Sequence, residues 1–141
     1  MIQPALQGDA FLADVEAAND AALNVWWLGQ SGYLLKHAGR HLLIDPYLSD
    51  SLTRKYADTD KPHERMTERI VDPGRLDFID AVTSSHNHTD HLDAATLKPL
   101  LAANDELTVI VPAANVAFAA ERLDVPPDRL TPATVGEPVD A

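Results

Sequence analysis

Residues 84–93 read Ser-Ser-His-Asn-His-Thr-Asp-His-Leu-Asp, which places His86, His88, Asp90 and His91 within six consecutive positions. The protein has six histidines, and three of them fall in this stretch. The short apolar run 79–84 ahead of it predicts a strand, so the fold must end a strand where these side chains gather. On an extended segment, residues two apart project to the same side, and His86 and His88 can therefore grip one ion together. A turn toward a following helix would bring Asp90 and His91 to a second position nearby. Two cations about 3.5–4 Å apart can share a bridging hydroxide, a strong nucleophile at neutral pH. Imidazole and carboxylate donors suit Zn, Mn or Fe. Cysteine is absent, which excludes disulfides and thiolate sites and leaves His, Asp and Glu as the strong ligands. The competing reading of the segment is a solvated polar loop, with Asp90 capping a helix start.

Upstream, residues 8–22 carry Phe11, Val15, Ala18 and Ala22 at helical spacing, and the spacing predicts an amphipathic helix. Residues 1–23 are thus expected to form a helical appendage. Three strands follow at 24–28, 33–37 and 40–45, separated by the turns Gly29-Gln30-Ser31-Gly32 and Ala38-Gly39. The last ends at Asp45-Pro46, because proline cannot continue the ladder. Residues 50–75 are charged and aperiodic, which predicts a long loop insertion. Beyond the histidines, Asp93 is placed to cap a helix over 94–103, and the continuous apolar run 107–111 reads as a buried strand. A helix over 113–123 and a strand over 130–135 complete the pattern. Antiparallel strands followed by β-helix-β-helix-β predict an α/β fold, a mixed sheet with helices on one face.

The formal charge is −11, which repels nucleic-acid phosphates and anionic membranes. No apolar run approaches the roughly 20 residues needed to span a bilayer. Met1-Ile2-Gln3-Pro4 lacks the basic start of a secretory signal, so a cytoplasmic setting is expected.

The motif His86-x-His88-x-Asp90-His91 at the end of an apolar strand resembles the signature of the metallo-β-lactamase superfamily. Leu42-Leu43-Ile44-Asp45-Pro46 is similar to that superfamily's first motif, a strand ending in Asp. Leu28-Gly29-Gln30-Ser31-Gly32-Tyr33-Leu34-Leu35 and the run Ser85 to Asp93 sharpen the likeness toward the branch of ascorbate-6-phosphate lactonase and N-acyl-phosphatidylethanolamine phospholipase D. The resemblance implies that residues 24–141 form the N-terminal half of a four-layer αββα sandwich, with metals at one edge between the sheets. It implies that His86 and His88 bind a first divalent ion, and that Asp90 and His91 bind a second. Asp90 would also orient or deprotonate the attacking water, and Asp45 would hold a ligand by hydrogen bond. The implied activity is hydrolysis of an ester, lactone or phosphoester of a small anionic substrate by a metal-bound hydroxide.

No histidine follows His91, whereas the superfamily takes further ligands from the second half of its domain. The alternative function is therefore a non-catalytic, truncated or degenerate module that binds metal or a partner chain. Half a sandwich would leave one apolar sheet face bare, so pairing with a second copy is expected. Residues 50–75 hold Arg54, Lys55, Lys61, Arg65, Arg69 and Arg75, six of the eleven Lys and Arg, against six acids. This is a solvated mixed-charge loop or a lid that offers a cation to an anionic substrate. Trp26 and Trp27 should point to opposite faces of their strand. His37, His41 and His63 read as isolated surface residues.

Overall fold

A computed structural model describes residues 1–140 of the chain. Six strands form one sheet in chain order: β1 (Asn24–Gly29), β2 (Gly32–His37), β3 (Arg40–Ile44), β4 (Ala81–Thr83), β5 (Thr108–Pro112) and β6 (Leu130–Ala133). The first three pair antiparallel through tight turns. Ala38 and Gly39 both have positive φ (50° and 74°), the two-residue turn whose twist matches that of its flanking strands. From β3 onward every pairing is parallel, so each connection must cross over. Helix α1 (Asp9–Ala17) precedes the sheet, and α2 (Ser51–Lys55) lies between β3 and β4. Helices α3 (Ala94–Ala103) and α4 (Val116–Leu123) make the later crossovers. Because β4, β5 and β6 advance in one direction, crossovers of the usual right-handed kind place both helices on the same face.

One row of side chains explains the core. Trp26, Leu34, Leu43, Val82, Val109 and Leu130 stand in register across all six strands. All but the half-buried Trp26 are buried, and the row packs with Phe11 and Val15 of α1, Leu97 and Leu100 of α3, and Leu123 of α4. Each such side chain contributes about 1.5–3 kcal/mol of hydrophobic stabilisation. The next row, on the opposite face, is Trp27, Tyr33, Ile44, Thr83, Ile110 and Thr131, and none of it joins the core cluster. Trp27 and Tyr33 are 44% and 40% exposed. The expected α/β architecture, a mixed sheet with helices on one face, is what the chain adopts.

Several elements differ from expectation. The first helix stops at Ala17, because Asn19 folds the chain into a local turn: its side chain accepts from Ala21 N at 2.9 Å. β5 alternates between buried and half-buried residues, since only one face of its strand meets helices. The segment 50–75 is not structureless: it carries α2 and a 3-10 turn at Pro73–Arg75. The fourth helix opens with a 3-10 turn, Ala113–Asn115, before it becomes α-helical. Asp93 caps α3 as expected, accepting from Ala95 N at 3.4 Å and from Thr96 Oγ1 at 2.6 Å. Among the described residues, no helix is long and apolar enough to cross a membrane.

Candidate functional site

The site is built where β3 and β4 end side by side. Ile44 pairs with Thr83, so the residues just beyond each strand, Asp45 on one and Ser84-Ser85 on the other, emerge together at the carboxyl edge of the sheet. That edge is where open α/β sheets generally bind ligands. Asp45 has φ 44°, a left-handed conformation that few side chains other than Asp and Asn tolerate. It costs on the order of 1 kcal/mol.

Four hydrogen bonds to the carboxylate offset that strain. Oδ1 of Asp45 accepts from Thr83 Oγ1 at 3.0 Å and from the Ser85 backbone N at 2.9 Å. Oδ2 accepts from the Ser85 hydroxyl and stands 2.6 Å from His91 Nδ1. Burial pushes the Asp45 carboxyl up, but the bonds from Ser85, His91 and Thr83 outweigh it and hold the group below the ordinary carboxylate value.

The histidines follow from this anchor. The ring of His86 lies 4.0 Å from that of His91 and 4.6 Å from that of His88, centroid to centroid. Asp90 Oδ2 is 3.5 Å from His91 Nε2, on the side of the ring away from Asp45. His86, Asp90 and His91 are half-buried, and His88 is exposed. The loop that carries them is pinned at several points. Ser84 Oγ donates to His86 O at 3.0 Å, and Leu92 N donates to His88 O at 2.7 Å. From α4, Arg122 Nη1 donates to Asn87 O at 2.8 Å and Leu92 O at 3.3 Å. At the far end Asp93, 1% exposed, also accepts from Ser51 Oγ at 2.9 Å.

All the residues singled out from the sequence thus meet: His86, His88, Asp90, His91 and, from 46 positions away, Asp45. In kind the donor set fits a divalent cation, with three imidazoles, carboxylates and no competing thiolate. Among the described residues, however, no three His, Asp or Glu donors converge as one ion requires. The imidazoles lie ring against ring. Sequence reasoning missed Ser85 and Arg122. A serine ahead of a histidine and an arginine late in a helix are too common to signal anything by themselves.

The basic residues of 50–75 divide by what they touch. Arg65 is 6% exposed and spends its donors on backbone: Nη1 on Tyr47 O and Ser49 O (3.1 and 2.7 Å), Nε on Thr67 O (3.1 Å). It fastens the segment after Asp45 to residues 65–67. Arg69 and Arg75 face Asp72 and Asp9. Gly29 is matched to the same segment, because the Thr67 hydroxyl lies 2.1 Å from where a Cβ would stand. Trp26 turns inward and donates to Asp14 at 2.8 Å, and Trp27 turns outward, the alternation expected of a strand. His41 is not a surface residue: its side chain is 14% exposed and meets the Phe78 ring edge-on at 4.9 Å.

Residues 24–135 match the family model described as a beta-lactamase superfamily domain. An uncharacterized protein of Mycobacterium tuberculosis is 38% identical over 79 residues, covering 56% of this chain and 20% of that protein. The mitochondrial N-acyl-phosphatidylethanolamine-hydrolyzing phospholipase D of Saccharomyces cerevisiae is 38% identical over 72 residues (51% of this chain, 14% of that protein). The probable L-ascorbate-6-phosphate lactonase UlaG of Escherichia coli is 31% identical over 85 residues (49% and 24%). The chain therefore spans a quarter or less of the length of these curated relatives. Among solved structures, the apo chemotaxis sensor ODP from T. denticola superposes with a TM-score of 0.50 at 21% identity, covering 82% of this chain and 43% of that one. A mutant of the β-hydroxylase CmlA gives 0.51 at 21% identity, covering 82% and 22%. The family match spans the sheet, both strand-end motifs and the histidine loop, and this chain belongs to the metallo-β-lactamase superfamily.

Proposed function

We propose that this chain carries the first ligand cluster of a metal-dependent hydrolase acting in the cytoplasm on an ester, lactone or phosphoester of a small anionic substrate. The observation that carries the reading is the histidine cluster: the His86 ring lies 4.0 Å from that of His91 and 4.6 Å from that of His88, and His91 is pinned by a buried carboxylate. His86 and His88 would hold one divalent cation, Zn, Mn or Fe, and Asp90 and His91 a second. Bound cations would supply Lewis acidity, lowering the pKa of a water and polarising the scissile bond. Asp90, half-buried, would orient that water and take its proton. Asp45 holds His91 with Nδ1 toward the protein and leaves Nε2 facing outward. Relatives named as a phospholipase D and a lactonase support hydrolysis, and substrate choice rests in loops rather than in the shared motif.

A second reading is a non-catalytic metal-binding or interaction module, favoured by the lack of convergence among three donors. Ion content and turnover separate the two. The hydrolase reading expects up to about two ions per chain and hydrolysis of a generic phosphodiester or lactone that His88→Ala abolishes. No bound ion and no turnover would leave the module. We also propose that the uncovered sheet face around Trp27 and Tyr33 pairs with a second copy, as exposed apolar patches mark association surfaces.

A further inference from the structure

We propose that Ser85 is a positioning residue that sets the tautomer of His86, so that one carboxylate, Asp45, orients two imidazoles rather than one. The argument counts protons. An ionised carboxylate only accepts hydrogen bonds, and a serine hydroxyl has a single proton to give. Ser85 Oγ lies against Asp45 Oδ2, so its proton goes there. The same oxygen stands 3.0 Å from His86 Nδ1, and toward that nitrogen it can only accept. His86 Nδ1 must therefore carry the hydrogen, which leaves Nε2 with a free lone pair. His91 Nδ1, 3.4 Å from Ser85 Oγ, donates directly to Asp45 Oδ2 at 2.6 Å, with the same result for its own Nε2. Two neighbouring rings are thus set in one tautomer, each presenting Nε2 away from the carboxylate. The backbone locks Ser85 in place, since its N–H donates to Asp45 Oδ1 at 2.9 Å. Free imidazoles in water favour a hydrogen on Nε2, so the arrangement opposes the default and needs the hydroxyl to sustain it.

The inference rests on His86 as a ligand in the proposed metal site, but the tautomer can be read without any metal. In the full chain, metal-free and above the titration range of histidine, long-range proton–nitrogen NMR of the imidazoles should show His86 protonated at Nδ1. Ser85→Ala should move His86 toward the Nε2-protonated form while leaving His91, which Asp45 holds directly, unchanged. Ser85→Thr, which keeps the hydroxyl, should restore the wild-type spectrum. Zinc affinity by competition with a chelating dye should fall about tenfold in Ser85→Ala and recover in Ser85→Thr. Ser85 is exposed, so both variants should fold, and circular dichroism checks this. A wild-type His86 protonated at Nε2, or a Ser85→Ala spectrum identical to wild type, would overturn the proposal. If the NMR result holds and no zinc binds to any variant, the hydrolase reading fails and the role of Ser85 stands.

Discussion

Asp45 and His91 lie 46 positions apart in the chain, yet Oδ2 of one stands 2.6 Å from Nδ1 of the other. The pair joins the end of β3 to the loop after β4 and fixes which nitrogen of His91 faces outward. A carboxylate behind a histidine ligand typically changes metal affinity 10–100-fold. Asp45→Asn keeps the size but loses the charge and turns an amide N–H toward donors from Thr83 and Ser85. It should weaken zinc binding by about tenfold or more, as measured by dye competition. Unchanged affinity would remove Asp45 from the site.

The same carboxylate makes the fold sensitive to acid. Burial raises its pKa, but the bonds from Ser85, His91 and Thr83 prevail, and in the folded chain it lies below its ordinary 3.8. The unfolded chain therefore takes up this proton first. The stabilisation is present in full above the ordinary value and is lost as pH falls through the folded one. Denaturant midpoints measured downward from about pH 5 should drop less steeply in Asp45→Asn than in wild type.

His41 acts in a higher window. Burial lowers its pKa from 6.5 and nearby Lys36 adds to this, while Asp80 and Asp20 oppose it. The folded state holds it neutral, whereas the unfolded chain protonates on passing 6.5. Stability should therefore decline as pH falls below that value and level off once the folded histidine also charges. His41→Gln should flatten this part of the urea-midpoint profile, and an unaltered slope would contradict the assignment.

Lys36 ties α1 to the sheet. It is 6% exposed, and Nζ donates to the carbonyls of Val15, Glu16 and Ala18 at 3.0, 3.3 and 3.0 Å, with Asp20 at 3.3 Å. Lys36→Met fills the same space and removes this donor from all three helix-end carbonyls. The expected cost is about 2–3 kcal/mol, with faster amide exchange in α1 than in β2–β5. Uniform exchange across the chain would show that α1 does not depend on the lysine.

The face that carries Trp27, Tyr33 and Val25 is open. If two copies pair through it, Trp27→Lys with Tyr33→Lys should convert an associating species into a monomer with little loss of stability, since both residues are already exposed. Sedimentation velocity on the two proteins decides. A wild type monomeric at high concentration would refute the pairing.

Much of this was legible locally. β1 to β3, their turns, the Asp93 cap of α3 and the histidine cluster all follow from patterns a few residues long. Asp45 was legible because a strand ending in Asp-Pro is a recognisable motif. Ser85, Arg122, Arg65 and Lys36 were not, because each acts on a partner 16 to 40 positions away. For such residues the nearby sequence carries no record of the partner. The first helix stops at Ala17 for a related reason: Asn19 and Lys36 capture the backbone groups that would have extended it.

The sequence by itself determined the alternation of elements, the apolar stripes that make one sheet face a core, and the donor types in the histidine loop. Periodicity and side-chain chemistry are local properties. Tertiary structure alone decided that Ile44 lies beside Thr83. That parallel register places Asp45 and Ser85 in one hydrogen-bonded cluster with His86 and His91. A shift of one residue between β3 and β4 would turn the side chains to the opposite face and dissolve the cluster.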